Sequence, residues 1–177
     1  MKFIHSLILA AAAFAFAACS SSPQLTSYVD PKIGTGDHGH VFVGANVPFG
    51  MVQVGPTSIP QEWDWCSGYH ASDSTLIGFS HTHLSGTGIG DLFDVTIMPV
   101  VGEVTYSRGD GVDPASGMWS FADRSQEIAR PGYYSVPVMR YGIKAEMSAT
   151  SRVGYHRYTF PASAEAALVI DLQNGGC

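Results

Sequence analysis

Two His-x-His pairs are the residues whose types and spacing most directly suggest chemistry. They are His38-Gly39-His40 and His81-Thr82-His83, and on an extended strand this spacing places both imidazoles on one face. Asp91 and Asp94 follow the second pair, and imidazole with carboxylate is a ligand set that zinc uses. The pairs are therefore a candidate metal site, although Leu84-Ser85-Gly86 stands where a metallo-β-lactamase would need Asp-His. The alternative is that these histidines hydrogen-bond loop backbone or line a polar cleft.

An aromatic segment is the second candidate. Glu62-Trp63-Asp64-Trp65-Cys66-Ser67-Gly68-Tyr69-His70 combines three aromatic residues, two acids and a histidine. Aromatic faces can cover the C–H face of a pyranose while polar groups bind its hydroxyls, so this composition favours a sugar site. The alternative is that Trp63 and Trp65 plug the end of the fold. The spacing of the carboxylates does not identify the acid and base pair of a glycosidase.

Nucleotides and nucleic acids are poor candidates for a ligand. The glycines of Gly86-Thr87-Gly88-Ile89-Gly90-Asp91 fall at every second position, whereas the dinucleotide fingerprint needs two residues before its third glycine. A tight loop that allows close backbone approach is the better interpretation. The formal charge of −6, without a cluster of Lys or Arg, gives nucleic-acid binding little support.

The elements that must position these residues are predicted to be strands. No segment holds a 3.6-residue apolar period for three turns, whereas Ile143, Ala145, Met147 and Ala149 alternate with polar residues over 143–150. This pattern predicts an all-β fold, an antiparallel β-sandwich with long loops. Further strands are expected in 41–54, 92–106, 133–141, 153–160 and 166–172, with long loops over 55–75 and 107–131.

The amino terminus has the pattern of an exported lipoprotein. The apolar run from Leu7 to Ala18 is too short to span a bilayer, so residues 1–18 are predicted to be a signal peptide. Phe16-Ala17-Ala18-Cys19 resembles the bacterial lipobox, which predicts lipidation of Cys19 and anchoring in the bacterial cell envelope. Residues 19–27 would form the lipidated tether. The alternative is an ordinary cleaved signal with Cys19 as a spare thiol.

Longer motifs carry a resemblance to a known family. They begin with Tyr28-Val29-Asp30-Pro31-Lys32-Ile33-Gly34-Thr35-Gly36 and the segments 38–45 and 47–53, continue through 65–70, 77–88 and 90–91, and end with Pro131-Gly132-Tyr133-Tyr134-Ser135-Val136. Asp37 and Ile89 stand where small residues are expected. In this order they resemble the opening of glycoside hydrolase family 92. The resemblance covers residues 28–177.

The resemblance implies a calcium-dependent exo-α-mannosidase that acts with inversion on glycans. Its amino-terminal β-sandwich would pack on a carboxy-terminal (α/α)6 barrel that supplies the catalytic acid and base and most of the calcium ligands. By position, the sandwich would contact the terminal mannose through Trp65 and Cys66, with Trp63 and the Gly86-Thr87-Gly88 loop as further neighbours. No catalytic residue carries over to this chain.

The carboxyl end is expected to stop short of a complete sandwich. Ala167 to Leu172 is predicted to be a buried strand without a partner, followed by Gln173-Asn174-Gly175-Gly176-Cys177. We therefore expect a truncated, inactive and poorly soluble mannosidase domain. A stand-alone carbohydrate-binding surface module and a metal hydrolase built on the histidine pairs are the alternatives. The sequence does not decide whether Cys66 and Cys177 form a disulfide bond.

Overall fold

The computed structural model describes residues 24–172. The predicted signal peptide, Cys19 and the start of the tether lie outside these residues, as does Cys177 with its suggested bridge to Cys66. Within the described part of the chain, no helix is long and apolar enough to cross a bilayer.

Eleven strands and five short 3₁₀ turns form the described chain. The strands are β1 (Ala45–Asn46), β2 (Gln53–Thr57), β3 (Thr75–Leu76), β4 (Gly78–Ser80), β5 (Thr96–Val101), β6 (Ser120–Phe121), β7 (Ile128–Arg130), β8 (Tyr133–Val138), β9 (Ile143–Ala149), β10 (Gly154–Thr159) and β11 (Ala166–Asp171). The 3₁₀ turns are Leu25–Tyr28, Trp63–Trp65, Pro114–Ser116, Arg124–Gln126 and Met139–Tyr141.

All strand pairs are antiparallel, which confirms the predicted all-β class. One sheet has the order β1-β2-β4-β5-β11, a second has the order β10-β9-β8-β7, and β3 pairs with β6. Strand β9 lies across β1 and β2, so the two larger sheets face each other. The fold thus has two main layers around one core.

Register explains how each sheet contributes to the core. Tyr134, Val136 and Val138 on β8 stand directly opposite Met147, Ala145 and Ile143 on β9, so all six side chains share one face. On the facing sheet, Ala45 pairs with Val54. All eight residues are buried in the same apolar cluster.

Strand β9 confirms the alternation read from the sequence, with one difference. Ile143, Ala145 and Met147 are buried as expected, but the outward-facing Glu146 is buried as well. Its carboxylate accepts two hydrogen bonds from Arg157 and one from Tyr133. The hydrogen bonds from Arg157 lower the pKa of Glu146 to about 2. The charged Glu146 side chain is buried because its partners Arg157 and Tyr133 lie on the same face of the sheet.

The prediction that the last strand lacks a partner is wrong. Strand β11 pairs with β5 over six residues, from Ala166 opposite Val101 to Asp171 opposite Thr96. It is also not a fully buried strand, because Val169 is buried while Leu168 and Ile170 are exposed. A continuous apolar run hid this alternation, since every position was apolar whichever face it occupied.

The long segments around these strands are more structured than expected. Segment 107–131 contains β6 and β7, and the predicted loop 55–75 begins within β2. Three connections form the candidate site. They are residues 34–44 before β1, residues 58–74 after β2 and residues 81–95 between β4 and β5.

Candidate functional site

Three connections that are distant in sequence meet at one place. The indole Nε1–H of Trp63 donates to the Gly88 carbonyl oxygen at 2.6 Å. The Gly86 N–H donates to the His40 carbonyl at 2.5 Å, and the Asp91 N–H donates to the Cys66 carbonyl at 2.9 Å. The structure therefore brings together the aromatic segment, the glycine loop and the first histidine pair.

Asp64 is the polar centre of this cluster. Its Oδ1 lies 2.7 Å from His38 Nδ1 and 3.2 Å from His40 Nε2. The Trp63 ring packs edge-on against His40, with ring centroids 4.2 Å apart, and lies 5.7 Å from His38. The hydrogen bond from His38 lowers the pKa of Asp64, and the same bond raises the pKa of His38. The result is an aromatic side chain beside a charged, hydrogen-bonding group.

The backbone of the first histidine pair is tightly constrained. A Cβ at Gly39 would lie 2.0 Å from the Gly34 carbonyl oxygen, so only glycine fits. His40 itself has φ +52°, a left-handed conformation that is uncommon for a side chain of its size. This conformation places its carbonyl against Gly86 and its imidazole against Asp64.

Asp91 anchors the glycine loop. Its Oδ1 accepts hydrogen bonds from the Leu84 and Leu92 N–H groups, and its Oδ2 lies 3.0 Å from His83 Nδ1. The two ends of segment 84–92 are thereby joined at one carboxylate. Because the Asp91 N–H also bonds to Cys66, the loop is fixed against the aromatic segment.

His83 continues this network into the core. Its Nε2 lies 3.2 Å from Ser80 Oγ, which in turn lies 2.7 Å from Thr57 Oγ1. Asp91, His83 and Ser80 thus have the order of a nucleophile triad, but their exposed fractions are 2%, 6% and 0%. No substrate reaches a hydroxyl buried to this degree. The arrangement supports the loop and does not act as a nucleophile.

The two predicted tryptophans differ in environment. Trp65 is half-buried, stacks on His70 with ring centroids 4.4 Å apart, and donates its indole N–H to Asp73 Oδ2 at 2.8 Å. Trp63 is 59% exposed. Thr87 is exposed at the tip of the glycine loop, where its Oγ1 lies 3.5 Å from the Ile89 carbonyl. Trp63 therefore borders the Asp64 cluster and the glycine loop, whereas the Trp65 side chain contacts His70 and Asp73.

Sequence reasoning did not assign Asp64 and Asp73 as hydrogen-bond partners in this region, and it considered His40 only as a metal ligand or as a residue of a polar cleft. Composition and the family resemblance indicated the aromatic rings, but the polar contacts of those rings depend on packing. The one sequence signal for Asp64 was its position between two tryptophans.

The two histidine pairs do not converge on a metal. His38 and His40 face Asp64, His83 faces Asp91, and His81 points elsewhere. Within residues 24–172, no group of three or more His, Cys, Asp or Glu side chains is placed to hold a metal ion.

Comparison with known proteins identifies the family of the chain. Residues 28–176 match the model of the glycosyl hydrolase family 92 N-terminal domain. The chain belongs to glycoside hydrolase family 92. The predicted family is thereby confirmed, and the three converging connections all lie within the matched range.

Solved family 92 structures have the same fold. The α-mannosidase BT3965 of Bacteroides thetaiotaomicron in complex with mannoimidazole is 43% identical with a TM-score of 0.82 over 86% of this chain. The inverting mannosidase BT2199 of the same species is 30% identical with a TM-score of 0.69 over 85% of the chain.

Family 92 relatives are much longer than this chain. The chain covers 20% of each of these two solved mannosidases. A secreted glycosidase of Arthroderma benhamiae, itself uncharacterized, is 31% identical in an alignment of 145 residues that covers 76% of this chain and 17% of the relative. The matched part is the amino-terminal domain of the family.

Proposed function

We propose that this chain is the substrate-facing amino-terminal domain of an inverting α-mannosidase that acts on α-mannoside glycans. The contact that carries the proposal is the Trp63 to Gly88 hydrogen bond, because it joins the two predicted sugar-binding segments. Solved relatives whose names give α-mannosidase activity share the fold at 43% identity. In this proposal Trp65, Cys66, Trp63 and Gly86-Thr87-Gly88 form one wall of the mannose site.

The role of this wall is binding and not proton transfer. The exposed Trp63 ring offers an apolar surface for a pyranose face, and the Asp64 carboxylate with His38 offers acceptor and donor groups for hydroxyls. Inversion needs two carboxyl groups about 6.5–9.5 Å apart with a water between them. We assign that pair, and the calcium ligands, to a carboxy-terminal (α/α)6 barrel. The 177-residue chain alone is therefore expected to be inactive.

We further propose that residues 1–18 are a signal peptide and that Cys19 is lipidated, with 19–27 as the tether. The supporting observations are the lipobox-like residues 16–19 and a relative that is named as secreted. The protein would then be anchored in the bacterial cell envelope. Cys19→Ala should move the chain from the membrane fraction to the soluble fraction, whereas Ser20→Ala should leave it membrane-bound.

Two assays test the mannosidase proposal. The chain alone should release no mannose from an aryl α-mannoside. A chimera in which residues 28–172 replace the corresponding domain of BT3965 should release mannose from the same substrate.

In that chimera, Trp65→Ala and Trp63→Ala should each lower kcat/KM by at least about tenfold, which corresponds to roughly 1.4 kcal/mol. Tyr106→Ala removes an exposed aromatic outside the three connections and should leave kcat/KM unchanged. Mannose release by the chain alone would contradict the proposal.

A stand-alone carbohydrate-binding module is the second candidate, and the exposure of Trp63 favours it. Calorimetry with mannose and mannobiose separates the two. Half of a binding site should give no measurable heat, whereas a complete module should give a saturable signal that Trp63→Ala abolishes.

A further inference from the structure

His81 and His156 form a pair that the mannoside site does not use. His81 follows β4 of the five-stranded sheet, and His156 lies in β10 of the four-stranded sheet. Their Nε2 atoms are 3.0 Å apart and their ring centroids 4.8 Å apart. The pair therefore connects the two layers of the fold, and both rings are partly exposed.

Hydrogen bonds at the opposite ring nitrogens determine which way each ring faces. His81 Nδ1 lies 2.7 Å from the Val95 carbonyl oxygen, which can only accept, so Nδ1 carries the hydrogen. In the neutral ring, the lone pair is then on Nε2. His156 Nδ1 lies 2.8 Å from the Tyr158 hydroxyl, which accepts from an Nδ1–H as readily as it donates.

Without a metal, the His156 Nε2–H donates to His81 Nε2. Moving this hydrogen to His156 Nδ1, where the Tyr158 hydroxyl accepts it, leaves an Nε2 lone pair on both rings. A backbone carbonyl or hydroxyl on the distal nitrogen is the arrangement that orients histidine as a metal ligand.

We propose that His81 and His156 bind a divalent transition-metal ion of the zinc class through their Nε2 atoms. At Zn–N distances of about 2.0–2.1 Å, tetrahedral geometry needs the two nitrogens about 3.3 Å apart, so each ring moves only slightly. Solvent fills the remaining positions. The ion links β10 to the β4–β5 connection and stabilises the two-layer fold. This metal site shares no residue with the proposed wall of the mannose site.

Zinc titration of the full 177-residue chain tests the site. At free zinc about 100-fold above Kd, we expect Tm to rise by roughly 5–10 °C. Calcium prefers oxygen ligands and should cause no shift. His156→Gln should abolish the zinc shift. His38→Gln, which alters the other exposed histidine cluster, should retain it. A zinc shift that persists in His156→Gln, or no shift in the wild-type chain, would overturn the proposal.

A second test uses only the wild-type chain, so its result does not depend on whether the variants fold. Substoichiometric Cu²⁺ broadens NMR signals of nuclei close to its ligands. Broadening centred on His81, Gly154 and His156 is the expected result. Broadening centred on His38 and Asp64 instead would place the metal in the other cluster and refute the site.

Discussion

Asp91 is the residue on which the geometry of the glycine loop depends. Asp91→Asn preserves shape but removes the negative charge next to His83 and leaves an amide N–H₂ facing it. A buried charge-assisted hydrogen bond contributes roughly 1.5–3 kcal/mol, so we expect the free energy of unfolding to fall by about 2–3 kcal/mol. Urea denaturation followed by tryptophan fluorescence measures this loss.

The matched control is Asp94→Asn. Asp94 belongs to the same connection but is exposed, where its Oδ2 accepts from the Thr82 hydroxyl at 3.0 Å. The same chemical change should cost less than about 0.5 kcal/mol there. If both variants lost equal stability, Asp91 would not be the anchor of the loop.

At the scale of single residues, the sequence indicated which segments contribute to the candidate site but not which atoms are in contact. Composition favoured the segment of Trp63 and Trp65 as a sugar site, and the family 92 resemblance implied that the glycine loop lies next to it. The Trp63 to Gly88 contact and the hub at Asp64 could not be predicted, because both depend on the packing of connections far apart in the chain. A metal site built from the two His-x-His pairs together is not supported for the same reason, since equal spacing placed His81 and His83 in different surroundings.

Strand β11 is the element with an unusual surface. It lies at the edge of its sheet, pairs only with β5 among the described strands, and exposes 52% of Leu168 and 59% of Ile170. An exposed apolar edge strand favours association of chains. The expected low solubility of the chain therefore stays a prediction, now with an edge strand as its cause.

Ile170→Lys tests that cause. A charge on an exposed edge position should raise the concentration at which the chain aggregates and should leave Tm nearly unchanged. Val169→Lys on the neighbouring, buried position should instead lower Tm by several degrees, because it places an unpaired charge in the core. Light scattering and thermal melting of both variants separate the effects. If Ile170→Lys aggregated like the wild type, this edge would not be responsible.

Strands in which apolar and polar residues alternate could be predicted from the sequence, whereas strands without this alternation could not. Strand β9 follows its pattern, since one of its faces is apolar and the other polar. Strand β4 escaped prediction because its three residues are all buried and too few to show a period. Strand β11 was misread because both of its faces are apolar, one buried and one exposed.

At the scale of the whole molecule, Glu127 joins parts of the chain that no local pattern connects. Its fully buried carboxylate lies 2.6 Å from Lys32 Nζ and 2.8 Å from Arg124 Nη1. The hydroxyls of Tyr69 and Tyr134 donate to it at 3.0 and 2.6 Å. The amino-terminal segment, the aromatic connection and the four-stranded sheet thus meet at one side chain.

Glu127→Gln should therefore destabilise the entire fold. Removing one member of a buried ion cluster leaves Arg124 without its counter-charge, which costs about 3–5 kcal/mol. Glu165→Gln makes the same change at an exposed glutamate between β10 and β11 and should cost less than about 0.5 kcal/mol. Urea midpoints at neutral pH give both values, and equal midpoints for the two variants would contradict this role.

The same cluster predicts how the protein responds to acid. Burial alone would raise the pKa of Glu127, but the charge of Arg124 and the hydrogen bonds from Lys32 and Tyr134 outweigh burial and hold it below 4.5. As pH falls, the unfolded chain therefore takes up this proton before the folded chain does. The stabilisation is complete above about pH 4.5 and is lost as pH falls through the folded-state pKa. We expect the stability gap between the wild type and Glu127→Gln to be constant above about pH 4.5 and to narrow progressively as the pH falls below that value. A gap that stayed constant below that value as well would show that the Glu127 carboxylate does not contribute through its charge.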